Sequence, residues 1–120
     1  MVDDDPRVRH LISQALAREG IEVDEAEDGR DGLLRAGARA YDVILLDLQM
    51  PGWDGLSVLR RLRSCRPEGA VIVVSGRCDP STVGRCLAAG ARSFLAKPFT
   101  LGELSEQVSA ARPVRAEPLE

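Results

Sequence analysis

Apolar residues first recur at helical spacing, with Val8, Leu11, Ile12, Ala15 and Leu16 on one side of a helix. Asp5 suits its cap, Pro6 its first position and Gly20 its end. Residues 21–25 alternate apolar and acidic, the pattern of a short strand nearer a sheet edge. Asp28-Gly29 turns into a weaker helix through Leu33 and Leu34, its propensity lowered by Gly32 and Gly37. Residues 41–46 then predict a strand whose run Val43-Ile44-Leu45-Leu46 has no polar face, as burial on both sides of a parallel sheet requires.

Asp54 caps a third helix carrying Leu56, Leu59 and Leu62 on one side and Arg60, Arg61 and Arg63 elsewhere, read as a solvated face. A second buried strand, residues 70–74, ends on Ser75-Gly76. Asp79-Pro80 opens a helix with Val83 and Leu87 that contains Gly84 and stops at Gly90. Ser93–Ala96 is a short strand ending on Lys97-Pro98, and Thr100-Leu101-Gly102-Glu103 is a capping box for a last helix with Leu101, Leu104 and Val108. This alternation predicts an α/β three-layer sandwich around a parallel sheet. Residues 1–112 form the domain; 113–120, charged and proline-containing, read as a tail or linker stub.

At 120 residues the chain is long enough for one core. Its net charge of −3, with both signs interspersed, gives no nucleic-acid footprint. No apolar run approaches the roughly 18 residues of a bilayer span and no leader pattern is visible, so a cytoplasmic location without membrane contact is expected. Cys65, Cys78 and Cys86 are odd in number, lack CxxC spacing and read as free thiols. His10, among arginines on the first helix, reads as a surface residue. Fifteen arginines stand against one lysine, Lys97. A lone lysine in such a chain points to a place where a compact ammonium is needed and a planar guanidinium does not fit.

The candidate chemistry lies at the strand ends. Asp3 and Asp4 follow the first strand, Asp47 ends the next buried one, and Ser75 and Lys97 follow the last two. Met50-Pro51-Gly52 cannot continue a strand, which leaves Asp47 facing a crevice at the carboxyl edge of the sheet. Three carboxylates there repel one another unless a cation intervenes, and Mg²⁺, which needs few protein oxygens, fits best. A hydroxyl and an ammonium opposite complete the electrostatic kit of phosphoryl transfer.

Asp-Asp-Asp-Pro, Leu-Leu-Asp-Leu-Gln-Met-Pro-Gly-Trp-Asp-Gly, Val-Val-Ser-Gly and Ala-Lys-Pro-Phe, in that order, resemble the receiver domain of two-component response regulators. The resemblance implies a flavodoxin-like, five-stranded parallel sheet of order 2-1-3-4-5. It implies that Asp47 takes phosphate from a sensor histidine kinase or phosphotransfer protein. Mg²⁺ would be bound by Asp4, Asp47 and the backbone carbonyl of Gln49, with Asp3 acting through water. Ser75 would hydrogen-bond the phosphoryl group and Lys97 pair with it, while Gly76 leaves room for the donor. Gln49 and Arg77 hold positions that tune phosphate lifetime, and Phe94 matches the switch aromatic, against a plain core role. Pro98 would follow a cis bond. The switched face would serve an output domain, a partner protein or a second copy.

Two departures qualify this. Only Met1 and Val2 precede the acidic run, so a truncated first strand is expected, with a shortened start, a swapped strand or a sheet of low stability as the options. A pseudo-receiver that binds partners without gaining phosphate is the alternative function. An aspartyl phosphatase is disfavoured, because Gln49 stands where such enzymes carry a general acid; the resemblance implies that the domain catalyses only its own phosphorylation and dephosphorylation. Trp53, beside the acceptor, either shields the site or contacts a kinase.

Overall fold

Side chains pointing alternately to opposite faces of the two apolar runs build two cores, one on each side of the sheet. Ile44, Leu46, Val71 and Val73 join one cluster with Val58, Leu59, Leu62 and Cys86. Leu45, Ile72 and Val74 join the other with Ile12, Leu16, Leu104 and Val108. The computed structural model describes residues 1–112; the tail expected over 113–120 lies outside the described residues. In order it runs α1 (Pro6–Ala17), α2 (Gly29–Ala38), β1 (Val43–Asp47), α3 (Gly55–Cys65), β2 (Ala70–Ser75), α4 (Pro80–Ala88), β3 (Ser93–Ala96) and α5 (Leu101–Ala111). Helices α1 and α5 thus cover one face and α2, α3 and α4 the other, the three-layer sandwich expected.

Every helix start follows from its cap. Asp5, Asp28, Asp54, Asp79 and Thr100 each accept a backbone N–H of the first turn, from Arg7, Asp31, Leu56, Thr82 and Glu103 respectively. The other end of α2 is closed from outside the helix. Arg66, just past α3, donates Nε to the Ala36 carbonyl at 2.6 Å and Nη2 to that of Gly37 at 3.3 Å. Carbonyls without an intrahelical partner are thereby satisfied, and two neighbouring helices are joined.

The strands β1 and β2 pair in parallel from Val43↔Ala70 to Asp47↔Val74, and β2 pairs with β3 from Ile72↔Ser93 to Ser75↔Ala96. On the free side of β1, Val2 bridges Leu46, and on its other side it bridges Ala26. Among the described residues the sheet therefore has three strands, in order β1-β2-β3, rather than the five expected, and the two places beyond β1 are reduced to single bridges through Val2. The strand expected over 21–25 does not form, because a ladder needs consecutive partners and Val2 is the one bridging residue before the acidic turn. Five backbone bonds hold that turn. Val2 N–H reaches Leu45 O at 2.8 Å and Val2 O accepts from Asp47 N–H at 2.9 Å. Ala26 N–H reaches Met1 O, Asp3 N–H reaches Ala26 O, and the Met1 amine reaches Asp24 O.

Side chains take over where the ladder is missing. The Tyr41 hydroxyl donates to Asp24 Oδ2 at 2.6 Å, and Arg39 lies over the Tyr41 ring while pairing with Asp24 and Glu22. The hydroxyl holds the Asp24 carboxyl below its ordinary value. A lowered folded value contributes stability above the unfolded value and loses it as pH falls through the folded one. Tyr41→Phe is expected to cost about 1 kcal/mol at neutral pH, reduced from a buried charged bond because the pair is only part-buried. Urea unfolding at several pH values checks this: the cost should hold at neutral pH and shrink once the medium is more acidic than an ordinary aspartate.

Candidate functional site

The sequence delivers its polar residues to one edge by ending each strand there. Asp47 is the last residue of β1, Ser75 the last of β2, and Lys97 follows β3. Lys97 N–H donates to Ser75 O at 2.9 Å, which continues the pairing one step past the strand. The Lys97-Pro98 bond is cis, as expected. Val2, tied between Leu46 and Ala26, carries Asp3 and Asp4 to the same edge. Carboxylate oxygens of Asp3, Asp4 and Asp47 all lie within 4.8 Å of one another. The Lys97 ammonium stands 3.5 Å from Asp47 Oδ2 and 3.6 Å from Asp3 Oδ2.

Burial divides these groups. Asp3, Asp47 and Ser75 are 1%, 2% and 0% exposed, whereas Asp4 is open to solvent at the rim. Burial pushes the Asp47 carboxyl above its ordinary value; the Asp3 charge adds to this, while the Gln49 N–H and the Lys97 ammonium oppose it. Asp3 Oδ1 accepts from Asp5 N–H at 2.9 Å. Its Oδ2 is closed off from solvent without a hydrogen bond, facing the Lys97 ammonium. A buried carboxylate oxygen with no donor, beside two more acids, is a donor set for a hard cation.

The loop after Asp47 is held by close approaches. Gln49 N–H donates to Asp47 Oδ1 at 3.0 Å, and Leu48 N–H donates to Val74 O. Gly52 takes φ +76 in the turn, a conformation that L side chains rarely adopt. A Cβ on Gly55 would sit 2.6 Å from the Leu48 carbonyl, so the start of α3 reaches the loop backbone only as glycine. The Trp53 ring packs on Gly29 and Val58 at the first turns of α2 and α3. Its contacts are internal packing that latches the loop.

The remaining predicted residues take distinct places. Ser75 Oγ accepts from Arg77 N–H at 3.0 Å, and the Arg77 side chain is exposed. Gly76 lies open beside Gln49, whose Oε1 would be 3.4 Å from an added Cβ. Phe94 is half-buried, opposite Val73 in the pairing, and packs against the core cluster that includes residues of α3 and α4. His10, on α1, is exposed; Cys65 and Cys78 are exposed elsewhere, Cys86 is buried, and all three cysteines are free. No helix among the described residues is long and apolar enough to cross a membrane.

One contact escaped the sequence reading. Arg9 Nη1 donates to the Asp3 carbonyl at 2.7 Å, and its Nε pairs with Glu25 at 3.4 Å. Arg9 stands one helical turn past the Asp5 cap, the only hint available among fifteen arginines.

The family model described as the response regulator receiver domain matches residues 1–109. The chain is 41% identical over 111 residues to the KDP operon transcriptional regulatory protein KdpE of Escherichia coli (strain K12), covering 92% of this chain and 49% of that protein. It therefore spans about half the length of such curated relatives. Among solved structures it is similar to the chemotaxis protein CheY4 of Vibrio cholerae, with TM-score 0.86, 29% identity, and 92% and 93% of the two chains covered. A response regulator protein from Burkholderia pseudomallei, solved with a phosphorylated aspartic acid, a calcium ion and citrate, is similar at TM-score 0.82 and 26% identity, with 91% and 68% covered.

Proposed function

The chain belongs to the response regulator receiver domain family, and from that premise we propose that Asp47 accepts a phosphoryl group from a sensor histidine kinase or phosphotransfer protein. The observation that carries this is the cluster of Asp3, Asp4 and Asp47 carboxylates within 4.8 Å, with the Lys97 ammonium 3.5 Å from Asp47. In the transfer, an Asp47 oxygen forms a bond to phosphorus as the P–N bond to the donor imidazole breaks, and that nitrogen recovers its lone pair.

Asp4, Asp47 and the Gln49 carbonyl would hold Mg²⁺ directly, with Asp3 acting through water. The bound cation would supply charge neutralisation for the acids and for the incoming phosphoryl oxygens. Lys97 meets another of those oxygens, and the Ser75 hydroxyl a third. Open space at Gly76 admits the donor, while Gln49 and Arg77 at the rim govern how long the phosphoryl group survives. As Ser75 turns toward the phosphate, Phe94 reorients and the face of α4, β3 and α5 changes shape, a local charge biasing a two-state element. Residues 1–112 act as this unit in the cytoplasm, and an output domain, partner protein or second copy reads the switched face. The domain turns over no separate substrate and binds neither nucleic acid nor membrane.

Mass spectrometry after incubation with acetyl phosphate tests the reading. The chain should gain one phosphoryl group in Mg²⁺ and none in excess chelator; no gain in either condition overturns it.

A further inference from the structure

The acidic turn that carries two of the three carboxylates is held by the backbone bonds of Met1, Val2 and Asp3 before it and by a helix cap after it, with no strand ladder. Three acids in one place push apart before any cation arrives, so the turn needs an anchor on the side away from its carboxylates. Arg9 is that anchor in geometry. From α1 it crosses back beneath the turn and donates to the Asp3 carbonyl at 2.7 Å, with its side chain only 15% exposed. Glu25, in the segment just before the Ala26 bridge, pairs with the same guanidinium. One side chain thus ties the acidic turn to α1 and to the neighbouring segment.

We infer that Arg9 is a positioning residue for the cation site, fixing the Asp3 carbonyl and through it the aim of the Asp3 and Asp4 carboxylates. This rests on the Mg²⁺ reading above. The Glu25 carboxylate neutralises the guanidinium, so the net field of the pair on a nearby cation is small and its effect is geometric. Partners one step removed from a metal typically change its affinity by about 10–100-fold when removed.

The test is Mg²⁺ titration of the full chain without phosphodonor, followed by calorimetry and by the fluorescence of Trp53, the single tryptophan, which packs beside the loop of Asp47. Arg9→Ala should raise the Mg²⁺ Kd about tenfold. Arg9→Lys, which keeps a donor and a charge on a similar stem, should recover part of that loss. A merely structural Arg9 would lower the melting temperature and leave Kd within about twofold of wild type, well below the transition. That result overturns the inference. Should Arg9→Ala fail to fold, unchanged Kd in both Arg9→Lys and Glu25→Gln would overturn it equally. Wild type that binds no Mg²⁺ would overturn this inference and the cation reading together, whereas wild type that binds while Arg9 variants bind as well removes this one alone.

Discussion

Asp47→Asn is expected to show no phosphoryl gain under conditions that load the wild type, and to keep its fold. Asparagine has nearly the same shape, so the core contacts of β1 survive, but its amide oxygen cannot form the acyl phosphate at a useful rate. The accompanying stability change should run opposite to that of a typical buried substitution. Burial and the Asp3 charge push the Asp47 carboxyl up, so its ionised form is less favourable in the folded protein than in the unfolded chain. The stability tied to this group is full below its unfolded value and is lost as pH rises through the raised folded value. At neutral pH the charged carboxylate therefore costs stability, and Asp47→Asn should melt at or above the wild-type temperature in chelator. In Mg²⁺ the order should reverse, since a ligand stabilises whichever form binds it better. Intact-mass measurement reads the first effect and calorimetric melting with and without Mg²⁺ the second. A phosphoryl gain in the Asn variant would move the acceptor elsewhere.

Lys97→Ala is expected to separate cation binding from phosphoryl transfer. The ammonium sits 3.5 Å from Asp47 and 3.6 Å from Asp3, close enough to compete with a divalent ion for both carboxylates. Removing it should tighten Mg²⁺ binding while slowing uptake from acetyl phosphate by about 10²–10³-fold, the usual loss for one electrostatic partner of a developing charge. Stopped-flow uptake kinetics at saturating Mg²⁺ alongside Mg²⁺ titration would check the split. Equal rates in the two proteins would remove Lys97 from the transfer step. Lys97→Arg should not restore the rate, because the longer, planar guanidinium cannot occupy the same point between two buried carboxylates.

Most of the site was legible in the sequence because strand ends are easy to read. An apolar run stopped by Asp47, another by Ser75 and a third by the lone Lys97 place three groups on one sheet edge once the strands are parallel. Caps were equally plain, and Pro6–Ala17, Gly55–Cys65, Pro80–Ala88 and Leu101–Ala111 start where Asp5, Asp54, Asp79 and Thr100 suggested. The strand over 21–25 was the failure. Its alternation of apolar and acidic residues is real, but a strand is a pairing, and its neighbour offers one bridging residue. Tyr41, Arg39 and Asp24 hold that segment by side chains instead, and nothing in local periodicity marks such a clasp. Arg9 was hidden for a related reason: its role depends on where a carbonyl comes to rest, which composition does not encode. Trp53 likewise needed the closeness of Gly29 to be placed.

The bridging of Val2 between Ala26 and Leu46 has a consequence for how the molecule responds to its ligand. The peptide that joins Ala26 to β1 also presents two of the acids. Under the proposed Mg²⁺ reading, a cation held in the crevice would also fasten that seam, a rivet through the fold.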